Sequence, residues 1–257
     1  MQIPAERHNH ILQALQDQGF VTVSGLSEVL DVSDVTVRRD LSFLEGQNLL
    51  QRTHGGATTR SLIVRDRPVA EKAEQHADEK RKIGAAAAAL IEDHDRVLLA
   101  SGTTVRQVAV HLGRLRDRVG LSVVTNAMNV ALELTGVPGI EVHMLGGVVR
   151  HTSTSVAGPI AEMVLRQFSC RKLFLGVDGF DLQYGLTTSN ALEAHLNTRM
   201  IEASEQVVVV ADASKFGLRS FGRMCGTEQV HQVITSDAIP AGMVSQMEES
   251  GITVTVV

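Results

Sequence analysis

The sequence has little cysteine: two residues in 257, Cys170 and Cys225. Two cysteines build no disulfide framework, and no Cys/His spacing points to structural zinc. No apolar run approaches the roughly 18 residues that span a bilayer, so no membrane partner is expected. The opening MQIPAERHNH lacks the basic start and apolar core of a signal peptide. A cytoplasmic protein with reduced thiols is the expectation. Positive charge is not in excess either: the formal net charge is −5, and gives no global reason to expect nucleic acid. There is no Walker lysine motif and no GxGxxG after a strand. The ten histidines are scattered, with His8 and His10 expected exposed on a first helix and His143 in or beside a strand. Neither metal nor cofactor is expected.

What is present is ordinary for a globular chain, 44% hydrophobic and 21% charged. The length allows one large domain or two unequal ones. In residues 1–57, Ile11, Leu12 and Leu15 form an apolar stripe at helical spacing, and Gly19 follows as a stop. VTV at 21–23 can make a short strand. Ser24 stands where an N-cap belongs, ahead of Leu26, Val29 and Leu30. After a turn at Asp31-Val32, Ser33 can cap a helix starting near Asp34 that turns Val37, Leu41 and Leu44 inward. LLQRT and ATT, joined by His-Gly-Gly, read as two strands with a tight connection. Helix, helix, turn, helix and a β wing make a winged helix-turn-helix.

Residues 1–60 hold five Lys+Arg against seven Asp+Glu, so only one edge of this segment is basic. Thr36, Arg38, Arg39 and Ser42 fall on or beside the outward surface of the third helix. A helix of this kind fits the major groove with its N-terminal residues, here Ser33, Asp34 and Thr36, against the DNA. Its arginines can bind guanine or phosphate. Gly55-Gly56 lets the backbone of the wing approach DNA, and Arg52 and His54 supply donors. The plainer alternative pairs Arg38 and Arg39 with Asp40 and Glu45 on a solvated helix. The helix-turn-helix pattern tips the balance to double-stranded DNA.

Residues 58–80 are polar, mixed in charge and interrupted by Pro68, a linker entering a helix. That helix continues through KIGAAAAALI. From 95 onward seven apolar strand candidates (96–100, 121–125, 140–145, 172–177, 206–211, 232–236, 252–257) alternate with amphipathic stretches. The expected fold is α/β: the N-terminal winged helix-turn-helix plus a larger open, largely parallel α/β domain over 81–257. SGTT at 101–104 follows a strand and opens a helix. Its backbone N–H groups, hydroxyls and helix dipole can hold a phosphate. An ordinary helix cap is the alternative. Thr125-Asn126, Gly146-Gly147 and Asp178-Gly179 follow other strands at their carboxyl ends, where ligands bind in open sheets. Thr187, Asn190 and Glu193 share one later segment, and Lys215 faces either a ligand or Asp212. Asp181 reads as a turn residue.

VSDVTVRRDLSFLEGQNLLQRTHGGA resembles the N-terminal signature of the DeoR family of bacterial transcription regulators. The resemblance runs on to about residue 235. It implies that the arginine helix reads an operator with the His-Gly-Gly wing against it. It also implies an effector domain similar to ribose-5-phosphate isomerase and amino-sugar-phosphate isomerases, with a phosphorylated sugar as inducer. By this resemblance Ser101, Gly102, Thr103 and Thr104 bind the phosphate. Asp178, Asn190, Glu193 and Lys215 become contacts to sugar hydroxyls or to the phosphate. The family usually has Asp before this loop, where this chain has Ala100. The function expected is a regulator, in this family most often a repressor, of a carbohydrate catabolic operon, acting as a homodimer or homotetramer. Two other readings are a phosphosugar isomerase or deaminase with Glu193 or Asp178 as base, and a DNA-architectural protein. The complete winged helix speaks against the first, the phosphate loop against the second.

Overall fold

The structure, a computed structural model, describes residues 4–18, 20–47, 49–53, 55–58, 68–115, 117–240 and 242–257. The chain forms two compact units, Met1–Leu62 and Ile63–Val257. In the first, helices α1 (Pro4–Gln18), α2 (Val23–Leu30) and α3 (Asp34–Gly46) accompany strands β1 (Phe20–Thr22), β2 (Gln51–Thr53) and β3 (Gly56–Thr58). The strands form an antiparallel sheet in the order β1-β3-β2. Ile11, Leu15, Val23, Leu26, Leu30, Val37, Leu41 and Leu44 are among the buried residues of its core. The N-cap of α2 is Thr22 rather than Ser24, its hydroxyl accepting from Gly25 N–H at 3.0 Å. The helix therefore starts earlier than expected, Val23 joins Leu26 and Leu30 on the inner face, and Val29 is left 64% exposed.

The second unit begins with α4 (Val69–Glu74) and α5 (Ala77–Ala89). The stretch read as a linker, 58–80, thus holds α4 and the first turn of α5; residues 59–67 lie outside the described residues. Next come β4 (Arg96–Leu99), α6 (Thr103–Leu112), β5 (Leu121–Thr125), α7 (Met128–Leu134) and β6 (Ile140–Met144). A hairpin of β7 (Val148–Arg150) and β8 (Ser155–Ala157) precedes α8 (Pro159–Leu165) and β9 (Cys170–Leu175). The chain continues through β10 (Gly179–Asp181), β11 (Gly185–Thr188), α9 (Ala191–Glu202), β12 (Ser204–Val210) and β13 (Gly222–Cys225). It ends with β14 (Gln232–Thr235), α10 (Met243–Glu249) and β15 (Thr253–Val256).

The seven expected strands form one parallel sheet in the order β15-β14-β12-β9-β4-β5-β6. Alternate residues of one strand enter different cores. Leu98, Leu173, Leu175, Val207 and Val209 pack toward α8, α9 and α10. Val97, Leu99, Phe174, Val208 and Val210 pack toward α5, α6 and α7. Both faces are covered, which is why these strands are apolar without alternation. Strand order reverses between β4 and β9, and a crevice at the carboxyl ends of those strands is the expected ligand position in such a sheet. Cys170 and Cys225 are buried and free. Burial pushes their thiols up to about 11 and about 12. No described helix is long and apolar enough to cross a membrane.

Candidate functional site

In the first unit α3 is held so that its two arginines make no ion pair among the described residues. Ser33 caps the helix, its hydroxyl accepting from Thr36 N–H at 3.3 Å and lying 3.0 Å from the Thr36 hydroxyl. Asp34 is the acid of the first turn, where it complements the helix dipole. Ser33 and Thr36 thus shape the start of the helix.

Arg38 and Arg39 are exposed. The plainer sequence reading, an ion pair with Asp40 or Glu45, does not occur. Asp40 is buried and receives Arg7 through Nε at 2.8 Å and Nη2 at 3.0 Å, with His8 Nε2 at 3.1 Å. Burial raises the Asp40 pKa, but these partners outweigh it and hold the carboxyl below its ordinary value. Glu45 accepts the Arg52 N–H at 3.0 Å. Arg38 and Arg39 make no ion pair among the described residues. His8, expected exposed, is half-buried and stacks on Phe43 at 4.8 Å, because its ring reaches Asp40.

Ser42 and Arg52 serve each other. The Ser42 hydroxyl donates to the Arg38 carbonyl at 2.8 Å and accepts from Arg52 Nη1 at 2.9 Å, tying α3 to the wing strand. Gly55 is exposed, while its carbonyl accepts from Val23 N–H at 2.9 Å. Gly56 has a different reason from the one expected. A Cβ there would lie 1.9 Å from the Val21 carbonyl oxygen, so the glycine permits β3 to close on β1. His54 lies outside the described residues.

In the second unit Gly102 connects β4 to α6 with φ 147° and ψ 153°, a conformation that favours glycine. No side chain caps α6, so its first N–H groups lack a capping acceptor. The hydroxyls of Ser101, Thr103 and Thr104 make no hydrogen bond among the described residues. These residues line a crevice with Gly176 and Val177 from the end of β9, at the strand-order reversal. Asp178, Glu193 and Lys215 line it too.

Asp178 already has partners: Lys72 Nζ donates to Oδ1 at 2.9 Å. Oδ2 accepts from Ser189 N–H at 2.9 Å, the Ser189 hydroxyl at 2.8 Å and the Thr188 hydroxyl at 3.2 Å. Burial raises this carboxyl's pKa, and Lys72 and Ser189 more than reverse that, leaving it lowered. Glu193 pairs with Arg150 and accepts from the Ser155 hydroxyl at 3.2 Å. Lys215 makes no ion pair with Asp212, whose Oδ1 instead caps the following turn at Ser214 N–H, 3.2 Å. Asp212 Oδ2 lies 3.8 Å from buried Lys80 Nζ. Burial lowers the Lys80 pKa, Asp212 opposes this, and the nearby cations Lys215 and Lys72 lower it further. Lys72 and Lys215 thus line the crevice together with Asp178 and Glu193, while Lys80 is buried beside Asp212.

Seven expected ligand residues do not line it, each with a local reason. Thr125 is fully buried, donating to the Leu99 carbonyl at 2.7 Å and accepting from Ala127 N–H at 3.0 Å. Asn126 donates to the Val156 carbonyl at 3.0 Å and so anchors β8. Gly146 and Gly147 are exposed beyond the edge strand β6. Gly179 and Thr187 face each other across the β10–β11 hairpin, joined by a 3.2 Å hydrogen bond. Asn190 caps α9, accepting from Leu192 and Glu193 N–H at 2.9 and 3.2 Å. Asp181 holds a turn, its Oδ1 accepting from Gln183 and Tyr184 N–H at 3.0 and 2.7 Å. Ala100 is buried in the core.

Residues that sequence reasoning missed include Lys72, Thr152, Ser153, Thr188 and Asn197. Asn197 is 5% exposed, with Nδ2 donating to Met224 Sδ and Oδ1 unpartnered among the described residues. Lys72 sits 106 residues from its partner Asp178, so no local pattern marks it. Among the described residues no group of three or more His, Cys, Asp or Glu is placed to hold a metal ion.

A winged helix with exposed arginines, joined to a parallel α/β unit with a polar crevice at its switch point, defines a DNA-binding regulator with a second, sensing domain. The chain matches the DeoR-like helix-turn-helix domain over residues 7–61 and the DeoR C terminal sensor domain over residues 75–237. It belongs to the DeoR family of transcription regulators. It is 38% identical to a putative aga operon transcriptional repressor of Escherichia coli O157:H7 over 98% of this chain and 94% of that one. It is 37% identical to the transcriptional repressor AccR of Agrobacterium fabrum, over 90% of this chain and 88% of that one. These relatives are regulators, and the chain is not an enzyme. Among solved structures, ribose 5-phosphate isomerase from Plasmodium falciparum matches 54% of this chain and 52% of its own length. Its TM-score is 0.41 at 15% identity, an overlap too partial to carry a functional argument.

Proposed function

We propose that this chain is a cytoplasmic repressor of a carbohydrate catabolic operon, released from its operator by a phosphorylated sugar or amino sugar. One observation carries the ligand class: α6 N–H groups without a side-chain cap, the hydroxyls of Ser101, Thr103 and Thr104, unbonded among the described residues, and Lys72 and Lys215 line one crevice. The buried, unpartnered Asn197 Oδ1 supplies an acceptor for a sugar hydroxyl or amine. Repression is favoured by the two relatives named as repressors. Arg38 and Arg39 contact the operator, and the loop 101–104 fixes the phosphate. Gel shifts on the adjacent promoter, titrated with a panel of sugar phosphates and their unphosphorylated sugars, test this.

Thr103→Val keeps the side-chain shape and removes the hydroxyl. Operator binding should stay as in wild type, while phosphosugar affinity falls about 10- to 100-fold, the roughly 1.5–3 kcal/mol of a hydrogen bond to a charged group. The unphosphorylated sugar should bind far more weakly than its phosphate. Equal calorimetric affinity for both would reduce SGTT to a plain helix start.

Assembly follows from the small footprint of one winged helix. We infer that the second unit forms a homodimer or homotetramer, presenting paired heads to half-sites about one or more helical turns apart. Light scattering should show at least a dimer at micromolar concentration. A monomer with and without operator would refute it.

A further inference from the structure

One wall of the crevice comes from a helix with little hold of its own. α4 has six residues, none of them buried, and opens the second unit directly after the segment leading from the winged head. A helix that short is not stable by itself. Polar attachments hold it. Val69 N–H donates to the Thr152 carbonyl at 2.6 Å, and Lys72 Nζ donates to Asp178 Oδ1 at 2.9 Å. At its end Lys80 Nζ donates to the carbonyls of Lys72 and Gln75 at 2.5 Å each. Thr152, Lys72 and Asp178 all line the crevice together with the 101–104 loop.

Lys72 is bonded to one anion and shares the crevice with a candidate position for a second. The first is Asp178, whose other oxygen is already satisfied by Thr188 and Ser189. The second is the α6 N-terminus, whose anion would come from the ligand. A phosphomonoester brings about −1.5 to −2 charge, against −1 for a carboxylate.

We propose that Lys72 exchanges Asp178 for the ligand's phosphate, and that this exchange unpins α4 and carries occupancy of the crevice to the segment leading to the DNA-binding head. The inference rests on the phosphate reading of the crevice. A ligand shifts an equilibrium only by interacting differently with its two states. Lys72 is that differential contact: on Asp178 in the operator-binding state, on phosphate in the released one.

The full chain tests it directly. It has no tryptophan, so Glu71→Trp, at an exposed position of α4, creates a single fluorescent reporter of that helix. Inorganic phosphate and glucosamine 6-phosphate are the probes, added to wild type, Lys72→Met, Asp178→Asn and Thr103→Val. Without probe, Lys72→Met and Asp178→Asn should each bind operator several-fold to tenfold more weakly than wild type. Both should show at position 71 the fluorescence that probe induces in the parent chain. With probe the two variants should part in sign. Lys72→Met should lose tenfold or more in calorimetric affinity, whereas Asp178→Asn should bind as tightly or more tightly, its lysine having no rival. Melting curves check the folding of both variants, since Lys72→Met leaves the buried Asp178 carboxylate without its cation. A parallel loss of probe affinity in both variants overturns the exchange. If Thr103→Val loses affinity while Lys72→Met binds and releases operator as wild type does, the crevice reading stands and the role of Lys72 falls. If neither probe binds wild type, the crevice reading falls, and unchanged probe-free operator affinity in both variants removes the coupling as well.

Discussion

The double variant Arg38→Ala/Arg39→Ala should lose operator binding by about 30- to 10⁴-fold, from roughly 1–3 kcal/mol per arginine that reads a base. The expectation rests on what holds the other charges of the head. Asp40 is taken by Arg7 and His8, and Glu45 by the Arg52 backbone. Neither acid is left to neutralise the two exposed guanidiniums. Removing the arginines therefore breaks no ion pair within the described fold, and the head should melt as before. Salt titration separates their roles. An arginine on phosphate lowers the salt slope by about one when removed and weakens all sequences alike, whereas one on a base relaxes sequence preference. Ligand affinity of the second unit should not change. A double variant that holds operator as wild type does would end the assignment of α3 as the reading helix.

Gly56→Ala should destabilise the winged head while leaving the second unit unaffected. A Cβ at this position would stand 1.9 Å from the Val21 carbonyl oxygen and 2.9 Å from Thr22 Cα. Both are backbone atoms, so no flexible side chain can swing aside, and relief requires β1 and β3 to part. Overpacking of this kind costs typically 1–3 kcal/mol and occasionally more, a large share of what a unit of about 60 residues has to lose. At roughly 4–8 °C per kcal/mol for such a domain, the head should melt about 4–24 °C lower. Calorimetry should show a displaced first transition beside an unmoved second one, with operator binding weakened and phosphosugar binding kept. Gly55→Ala is the control, since nothing lies within 4 Å of its added Cβ. If Gly56→Ala melts with wild type, the close approach of β3 to β1 is not what this glycine serves.

Local signals carried much of this protein. Ser33 before Val37, Leu41 and Leu44 marks a capped amphipathic helix. Seven apolar β-branched runs alternating with helices mark a parallel sheet, because the pattern depends on neighbours in sequence and on burial of both faces. SGTT between strand and helix is equally local, since a helix start is built from its own first turn. The sequence by itself determined, then, a winged head, a parallel α/β unit and a helix opening at SGTT. Partnership was decided only in three dimensions. Asp40 could have served Arg39 next to it, yet folding hands it to Arg7, and that choice frees the arginines. Thr125, Asn126, Thr187 and Asn190 have the chemistry of ligand contacts, and the fold uses all four to tie strands, hairpins and a helix start together. Lys72 reads as one charge in a polar linker, and only the packing of α4 sets it on Asp178. A side chain's type fixes which bonds it can make. Which partner reaches it first, across 33 residues for Arg7 and Asp40 or 106 for Lys72 and Asp178, is set by how the chain closes on itself.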